Sequence, residues 1–534
     1  MKKIISNILV ASAAFVALAT SCTKEFLDTA PTASVATADV FANVDNVKMA
    51  VNGLAYLMTT QHSAYSQGCD GENRIRSIYQ EYGSQEFRYN QMAPGWAPIM
   101  NNEYYSRNTT TYASYPWVYY YEIIADANSI ICNVDKAEGS DEEKAFYKAQ
   151  ALTYRAYAYT MLMELYSVRW KDSNNGSADG VVLRLDESTE GMPLSSAAKC
   201  YEQIYKDCDD AVTNFNASGM DRGDGEVWLT NINVAYAVKA RAALNREDYQ
   251  TALTNAKLAR EGYPLMTNAE YKAGFCEPTS EWIFGSYGSA EENQWYWSFG
   301  TQFSCNGYYA SASQYGAGDI EKELTDRMPK DDIRMGCFLT IDKLGLTNEN
   351  YVSYIDGTYG YIMDDDVWDA AAAYIATRTP SGLEPAYQSG YFYIGAQLKF
   401  WVFDTPGVSY LCFIRSSEMA LIEAEANYFL GNEEAAQASL KQLNADSGRN
   451  PAYTCSKTGA DLFQEIVDYR ELELWGEGFN WYDIKRWNRD IVRKSFKEGG
   501  NCHTSTATTI TAASSNWTWA VPECETLYNT EIKK

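Results

Sequence analysis

Glu473 and Glu477 lie one helical turn apart, and paired carboxylates can serve as general acid and base. They belong to the stretch Asp468 to Asn488, DYRELELWGEGFNWYDIKRWN, close to Arg470 and Arg486. Guanidinium groups within reach shift the reading from acid–base catalysis to an ion-pair network that pins two helices. Leu472, Leu474 and Trp475 form the apolar side of the first helix, and Gly476 and Gly478 supply the permissive backbone that ends it. Asn480 suits the N-cap of a second helix, along which Trp481, Ile484 and Trp487 recur at i, i+3 and i+6. Asp483 and Arg486 are spaced to pair, and Asn488 completes the turn.

Other reactive groupings are sparse. His62 and His503 are the two histidines, and each reads as a surface or loop residue. No P-loop, nucleophile-elbow or HExxH pattern occurs. Asp364, Asp365, Asp366 and Asp369 form one oxygen-rich cluster, and Asp172, Asn174, Asn175 and Asp179 another. Either has donors of the kind a structural calcium takes. The second lacks EF-hand order, with Gly176 at its fifth position, so both read as hydrated acidic surface and no metal or cofactor is expected. A glycosidase needs two carboxylates across a cleft, and 70 acidic residues leave a surface hydrolase as an alternative.

The 534 residues are 46% hydrophobic and 21% charged, with a net charge of −26, enough chain to bury a large core. Nucleic acid is disfavoured as a partner, because it demands a basic face. Aromatics make up 14%, with 42 Tyr and 14 Trp. Flat rings with a polar tip stack on the C–H faces of sugars, although most of them must fill helix interfaces.

Met1-Lys2-Lys3 followed by the apolar run Ile4 to Leu18 and Ala19-Thr20-Ser21-Cys22 reads as a lipoprotein signal, residues 1–21, with Cys22 the acylated first residue of the mature chain. No later run approaches a spanning helix, so the expectation is anchoring to a membrane. The remaining cysteines are scattered and odd in number. A bridge from Cys502 to Cys524 is possible, while Cys200 and Cys208 read as small buried hydrophobes.

Helical periodicity marks Asp39 to Thr60, Trp117 to Asn133, Lys148 to Trp170 and Ser195 to Phe215, the last capped by Ser195 or Ser196. Two helix pairs follow, Asn231 to Asn245 with Asp248 to Glu261, and Ser416 to Leu430 with the EEAAQASLKQLN segment. Each resembles a tetratricopeptide (TPR) unit. Thr60 to Pro116 lacks periodicity and reads as ordered loops of a binding surface. Phe275 to Pro406 is rich in Gly, Tyr and Asp, with Trp282 to Gly285 a short buried segment.

The REL-L-GEG-NWYDIKRW stretch resembles the C-terminal signature of the SusD/RagB family, outer-membrane lipoproteins of Bacteroidota that capture nutrients for a TonB-dependent transporter. The opening Cys-x-Lys-Glu-Phe-Leu-Asp after the signal, with Phe26 and Leu27 able to dock on the body, is similar to the start of mature members. The closing WTWAVPECETLYN resembles their last segment. Asn480 departs from the family, which more often places Arg there, and this would remove one ion-pair partner from Glu477.

The resemblance implies a mainly α, SusD-like fold with four TPR-like helix pairs as scaffold and long loop-rich insertions forming the ligand face. It implies residues 22–534 as one SusD-like domain, with an N-terminal part at 22–270 and a RagB/SusD part at 271–534. The implied function is non-enzymatic capture of a glycan and its delivery to a SusC-like TonB-dependent transporter, from a surface-exposed, lipid-anchored position on the outer membrane. A peptide, as in the RagB branch, is the alternative ligand. Trp96, Trp295, Trp297 and Tyr309 are candidate sugar platforms by position in the loops. Asp70, Arg74 and Asn101 are candidates to reach sugar hydroxyls, each weighed against a solvated loop position.

Overall fold

Helix pairs carry the chain in the computed structural model, which describes residues 40–62, 65, 69–88, 97–103, 107–288, 298–307, 318–383, 391–404 and 407–532. Cys22, Phe26, Leu27, Trp96, Trp295, Trp297 and Tyr309 lie outside them.

Capping side chains set most helix starts. Asn43 caps α1 (Val44–Leu57), its Oδ1 accepting from the Asn46 amide at 3.0 Å. α2 (Thr111–Asn133) begins earlier than the expected Trp117. Pro116 removes one N–H from its second turn, yet Thr110 caps the helix at 3.1 Å and the chain runs through the proline. Ser140 and Glu143 form a capping box for α3 (Asp141–Tyr166), which precedes the expected Lys148 start. Ser196 caps α4 (Ala197–Ser218), and Gly219 at φ 60 ends it. Asn231 and Asp248 cap α5 (Ile232–Asn245) and α6 (Tyr249–Ala259). Asp364 accepts from the Val367 amide at 3.1 Å to cap α7 (Asp365–Arg378), so much of that acidic cluster sits at the positive end of a helix dipole. α8 (Ser416–Phe429), α9 (Glu433–Lys441), α10 (Gly459–Glu473) and α11 (Asn480–Trp487) complete the scaffold.

The expectation of a mainly helical fold holds. α3 packs against α2 and α4, α5 against α6, and α8 against α9. α6 lies on α8 and so joins two helix pairs that are distant in sequence. Buried alanines such as Ala149, Ala156, Ala237 and Ala256 permit these close approaches. Among the described residues, three short antiparallel ribbons tie the loops: β1 (Phe87–Arg88) with β3 (Asp319–Ile320), β2 (Trp282–Gly285) with β4 (Cys412–Arg415), and β5 (Ile491–Val492) with β6 (Thr509–Ile510). β2 is buried at all four positions, as its apolar run suggests. The closing segment packs back on the core, with Trp481 between Trp517 and Trp519 at ring distances of 5.6 and 5.7 Å.

Several expectations change. The stretch from Thr60 to Pro116 holds helical turns, among them a π-helix at Ile75–Glu81. Its i→i+5 pitch escapes a search for a 3.6-residue period. His62 and His503 are buried and not surface residues. His62 meets Glu122 at 3.0 Å and the Leu57 carbonyl at 3.2 Å. Cys502 and Cys524 are free: Cys502 is buried 3.1 Å from the Thr506 hydroxyl, whereas Cys524 is exposed. Asp172 of the oxygen-rich loop is paired with Arg169.

Trp481 is fully buried against aromatic neighbours. Trp481→Ala should therefore cost about 3–5 kcal/mol, read as a lower urea midpoint with an unchanged slope.

Candidate functional site

The break between α10 and α11 is the anchor of the loop face. Gly476 and Gly478 have φ of 75 and 88, a region open to glycine at no cost. A Cβ on Gly476 would stand 2.5 Å from the Phe400 ring. This turn aims Glu473 and Glu477 into the protein, where both are buried.

Their partners come from far along the chain. Arg415, at the end of β4, holds Glu477 with Nε and Nη2, each donating at 2.7 Å. Its Nη1 donates to Glu473 at 2.7 Å and to Glu281 at 2.8 Å. Arg334 donates to Glu473 at 2.8 Å, and Arg449 stands 3.1 Å from the same carboxylate. Lys399 donates to Glu477 at 2.6 Å and to the carbonyls of Glu473 and Trp475. Burial alone would raise the Glu473 pKa, but Arg449, Arg415 and Arg334 outweigh it and hold the carboxyl well below its usual range.

The ion-pair reading therefore stands, with different partners. Arg470 pairs with Asp483, and Arg486 pairs with Asp483 and Glu425, so neither serves Glu473 or Glu477. Nor is Asn480 an N-cap: it is the first residue of α11. Its amide donates to Glu471 at 3.2 Å, and its Oδ1 accepts from the Gln85 backbone at 2.9 Å. Glu477 loses nothing by the departure at this position, because Arg415 and Lys399 satisfy it.

The same motif is the floor beneath the early loops. The Gly478 amide donates to Glu81 at 2.5 Å, Trp475 Nε1 to the Glu86 carbonyl at 3.2 Å, and Trp481 Nε1 to Asn102 at 3.1 Å. Arg493 adds bonds to the carbonyls of Ser84 and Met100. The early segment is thus fixed from below at several points.

Asp70 and Arg74 lie in that segment, and both are buried, so the solvated-loop alternative does not hold for them. Both Asp70 carboxylate oxygens are buried without a hydrogen-bond partner among the described residues. Burial pushes the Asp70 pKa up to about 8, with the Arg74 charge pulling the other way. Arg74 lies over the Tyr112 ring at 5.6 Å. The following Gly71 donates to the Tyr115 hydroxyl at 2.7 Å, and its φ of 61 lets the backbone pass beside Met58. Asn101 is half-buried after a short helix at Ala97–Met100, its amide oxygen without a hydrogen-bond partner among the described residues. The structure brings Asp70 and Arg74 into electrostatic contact and places Asn101 beside the Asn102 anchor. Local spacing carried no signal for the charge partners Glu281, Arg334, Lys399, Arg415 and Arg449, which come from five separate segments.

Two charge-sensitive outcomes follow. Glu473→Gln should cost about 3–5 kcal/mol, because it leaves buried guanidinium groups short of a partner; chemical denaturation measures it. Asp70 binds its proton more tightly in the folded protein than in the unfolded chain. Its contribution therefore favours the fold at acid pH and is lost as pH rises from about 4 through about 8. Asp70→Asn escapes that loss, so its melting temperature should gain on the parent across this window and most above it.

Comparison with known proteins adds two matches by sequence. The SusD family matches residues 407–533, and a family described as starch-binding associating with outer membrane matches residues 25–243. A SusD-like protein of Bacteroides ovatus is 22% identical over 500 residues, 89% of this chain and 81% of that protein. Among solved structures, a SusD-like carbohydrate binding protein from Bacteroides vulgatus superposes with a TM-score of 0.71 at 20% identity, covering 92% of this chain and 98% of that one. A SusD superfamily protein from Bacteroides thetaiotaomicron gives 0.70 at 21% identity, covering 92% and 99%.

Proposed function

Because this chain belongs to the SusD/RagB family, we propose that it is an outer-membrane protein that binds a polysaccharide or oligosaccharide and passes it to a TonB-dependent transporter of the SusC type. Acylation at Cys22 would tether it to the outer membrane facing the medium, with residues 22–270 and 271–534 as the two parts of one binding domain. The observation that carries the reading is the early loop segment locked onto the α10–α11 break, a rigid mount for a ligand face.

Stacking rings supply the affinity in this proposal. Trp96, Trp295, Trp297 and Tyr309 are the candidate platforms, each contributing about 1 kcal/mol. Asn101 offers its amide to a sugar hydroxyl. Asp70 and Arg74, being buried, would shape the segment from beneath and act on the ligand through its backbone. The helix pairs present the surface for the transporter. Binding and release involve no covalent step: Glu473 and Glu477, the carboxylate pair singled out by spacing, are enclosed in ion pairs and have no access to substrate.

Titration calorimetry of the mature chain against hexose and pentose oligosaccharides and a peptide library tests this. The expected result is saturable binding of at least one oligosaccharide, weakened about fivefold by Trp96→Ala or Trp295→Ala, with no reducing ends released. Binding of peptides alone would move the protein to the peptide-capturing branch. Product release abolished by a single carboxylate substitution would make it a hydrolase.

A further inference from the structure

A second aromatic surface stands apart from the rings considered so far. Tyr359 and Tyr391 are 44% and 40% exposed, and Tyr361 is half-buried. The Tyr361 and Tyr391 rings meet at 4.2 Å with an interplanar angle of 33°, and Tyr359 lies 5.3 Å from His503. Isolated exposed tyrosines need no explanation, but adjoining ones on a fixed mount do.

The mount is a tight turn, Asp356 to Tyr361. Asp356 Oδ1 accepts from the amides of Thr358 at 2.9 Å and Tyr359 at 2.6 Å, while the Asp356 amide donates to the Tyr361 carbonyl at 2.8 Å. Gly360, at φ 81, lies flat on the Phe496 ring, where a Cβ would collide. Tyr361 forms an isolated bridge with Tyr393, two residues along the chain from Tyr391. The rings are therefore placed before any ligand arrives, which reduces the ordering cost of binding. Polar groups adjoin them. Asp356 is half-buried beside the turn, and the Tyr393 hydroxyl is buried with no hydrogen-bond partner among the described residues.

Past a turn at Gly395, φ 89, the same segment reaches Ala396, which bridges to Asp319, and Asp319 pairs with Arg88 at the end of the early segment.

We propose that Tyr359, Tyr361 and Tyr391 form a stacking subsite for a pyranose ring of a bound oligosaccharide, with Asp356 accepting from a sugar hydroxyl. The subsite rests on the glycan reading above and extends it to residues outside the sequence candidates. The Tyr361 ring backs the exposed Tyr391 ring, and an exposed ring face with a carboxylate nearby suits a sugar, which offers an apolar C–H face and a polar rim.

The test is calorimetric titration of the mature chain with maltoheptaose, cellohexaose, xylohexaose and mannohexaose. Tyr361→Ala/Tyr391→Ala should weaken the binding oligosaccharide about tenfold or more, whereas Tyr391→Phe, which keeps the ring, should retain most of the affinity. Thermal midpoints of parent and variants check folding. Should the double variant fail to fold, Tyr391→Ser at the exposed ring gives the same reading with a smaller loss. Unchanged affinity in the alanine or serine variant overturns the subsite and leaves the glycan reading standing. A chain that binds none of these sugars removes both. Loss of transporter association with sugar affinity intact reassigns the rings to a protein contact and also overturns the subsite.

Discussion

A buried cluster of charge holds this protein together at the point where α10 gives way to α11. Arg415 reaches Glu281, Glu473 and Glu477 at once, and Arg334, Arg449 and Lys399 close the cluster around them. Burying so many charges is costly, and a single misplaced partner would leave one uncompensated. The interaction repays that cost only when all segments are in place together, so it acts as a check on correct assembly. It joins the middle of the chain to its C-terminal part, and the glycine turn that hosts it also seats the early loops.

Local chemistry made the helices legible. Repeating apolar positions located the α5–α6 and α8–α9 pairs nearly to the residue, and Ser196, Asn231 and Asp248 cap where their side-chain chemistry suggests. The buried WIFG strand was readable for the same reason. Failures arose where space overrode sequence distance. Arg470 and Arg486 lie close in the chain to Glu473 and Glu477, but the fold spends them on Asp483 and Glu425. The true partners are strung across the chain, and no periodicity connects them. The π-helix at Ile75–Glu81 and the proline within α2 likewise defeat a search built on regular i→i+4 bonding.

The ligand face was legible only as a tendency. Gly-rich, Tyr-rich stretches single out the early and middle loops as the proposed ligand face, because so many rings within polar loops are hard to bury, and the rings named there lie outside the described residues. Which rings face outward depends on turn geometry. Tyr359 is exposed because Asp356 caps its turn and Gly360 rests on Phe496, an arrangement invisible without Phe496 in place. Asp70 shows the reverse: an acidic loop residue that reads as solvated is fully enclosed.

The account comes down to a rigid charge-locked scaffold that offers its early and middle loops to a sugar. Hydrogen–deuterium exchange of the mature chain, with and without the oligosaccharide that it binds, tests this directly. The account predicts slowed exchange in residues 69–88, 97–103, 354–363 and 391–397, with α10 and α11 already protected and unchanged. Slowing confined to the α5–α6 and α8–α9 pairs, or protection of the α10–α11 break that appears only with ligand, would contradict it.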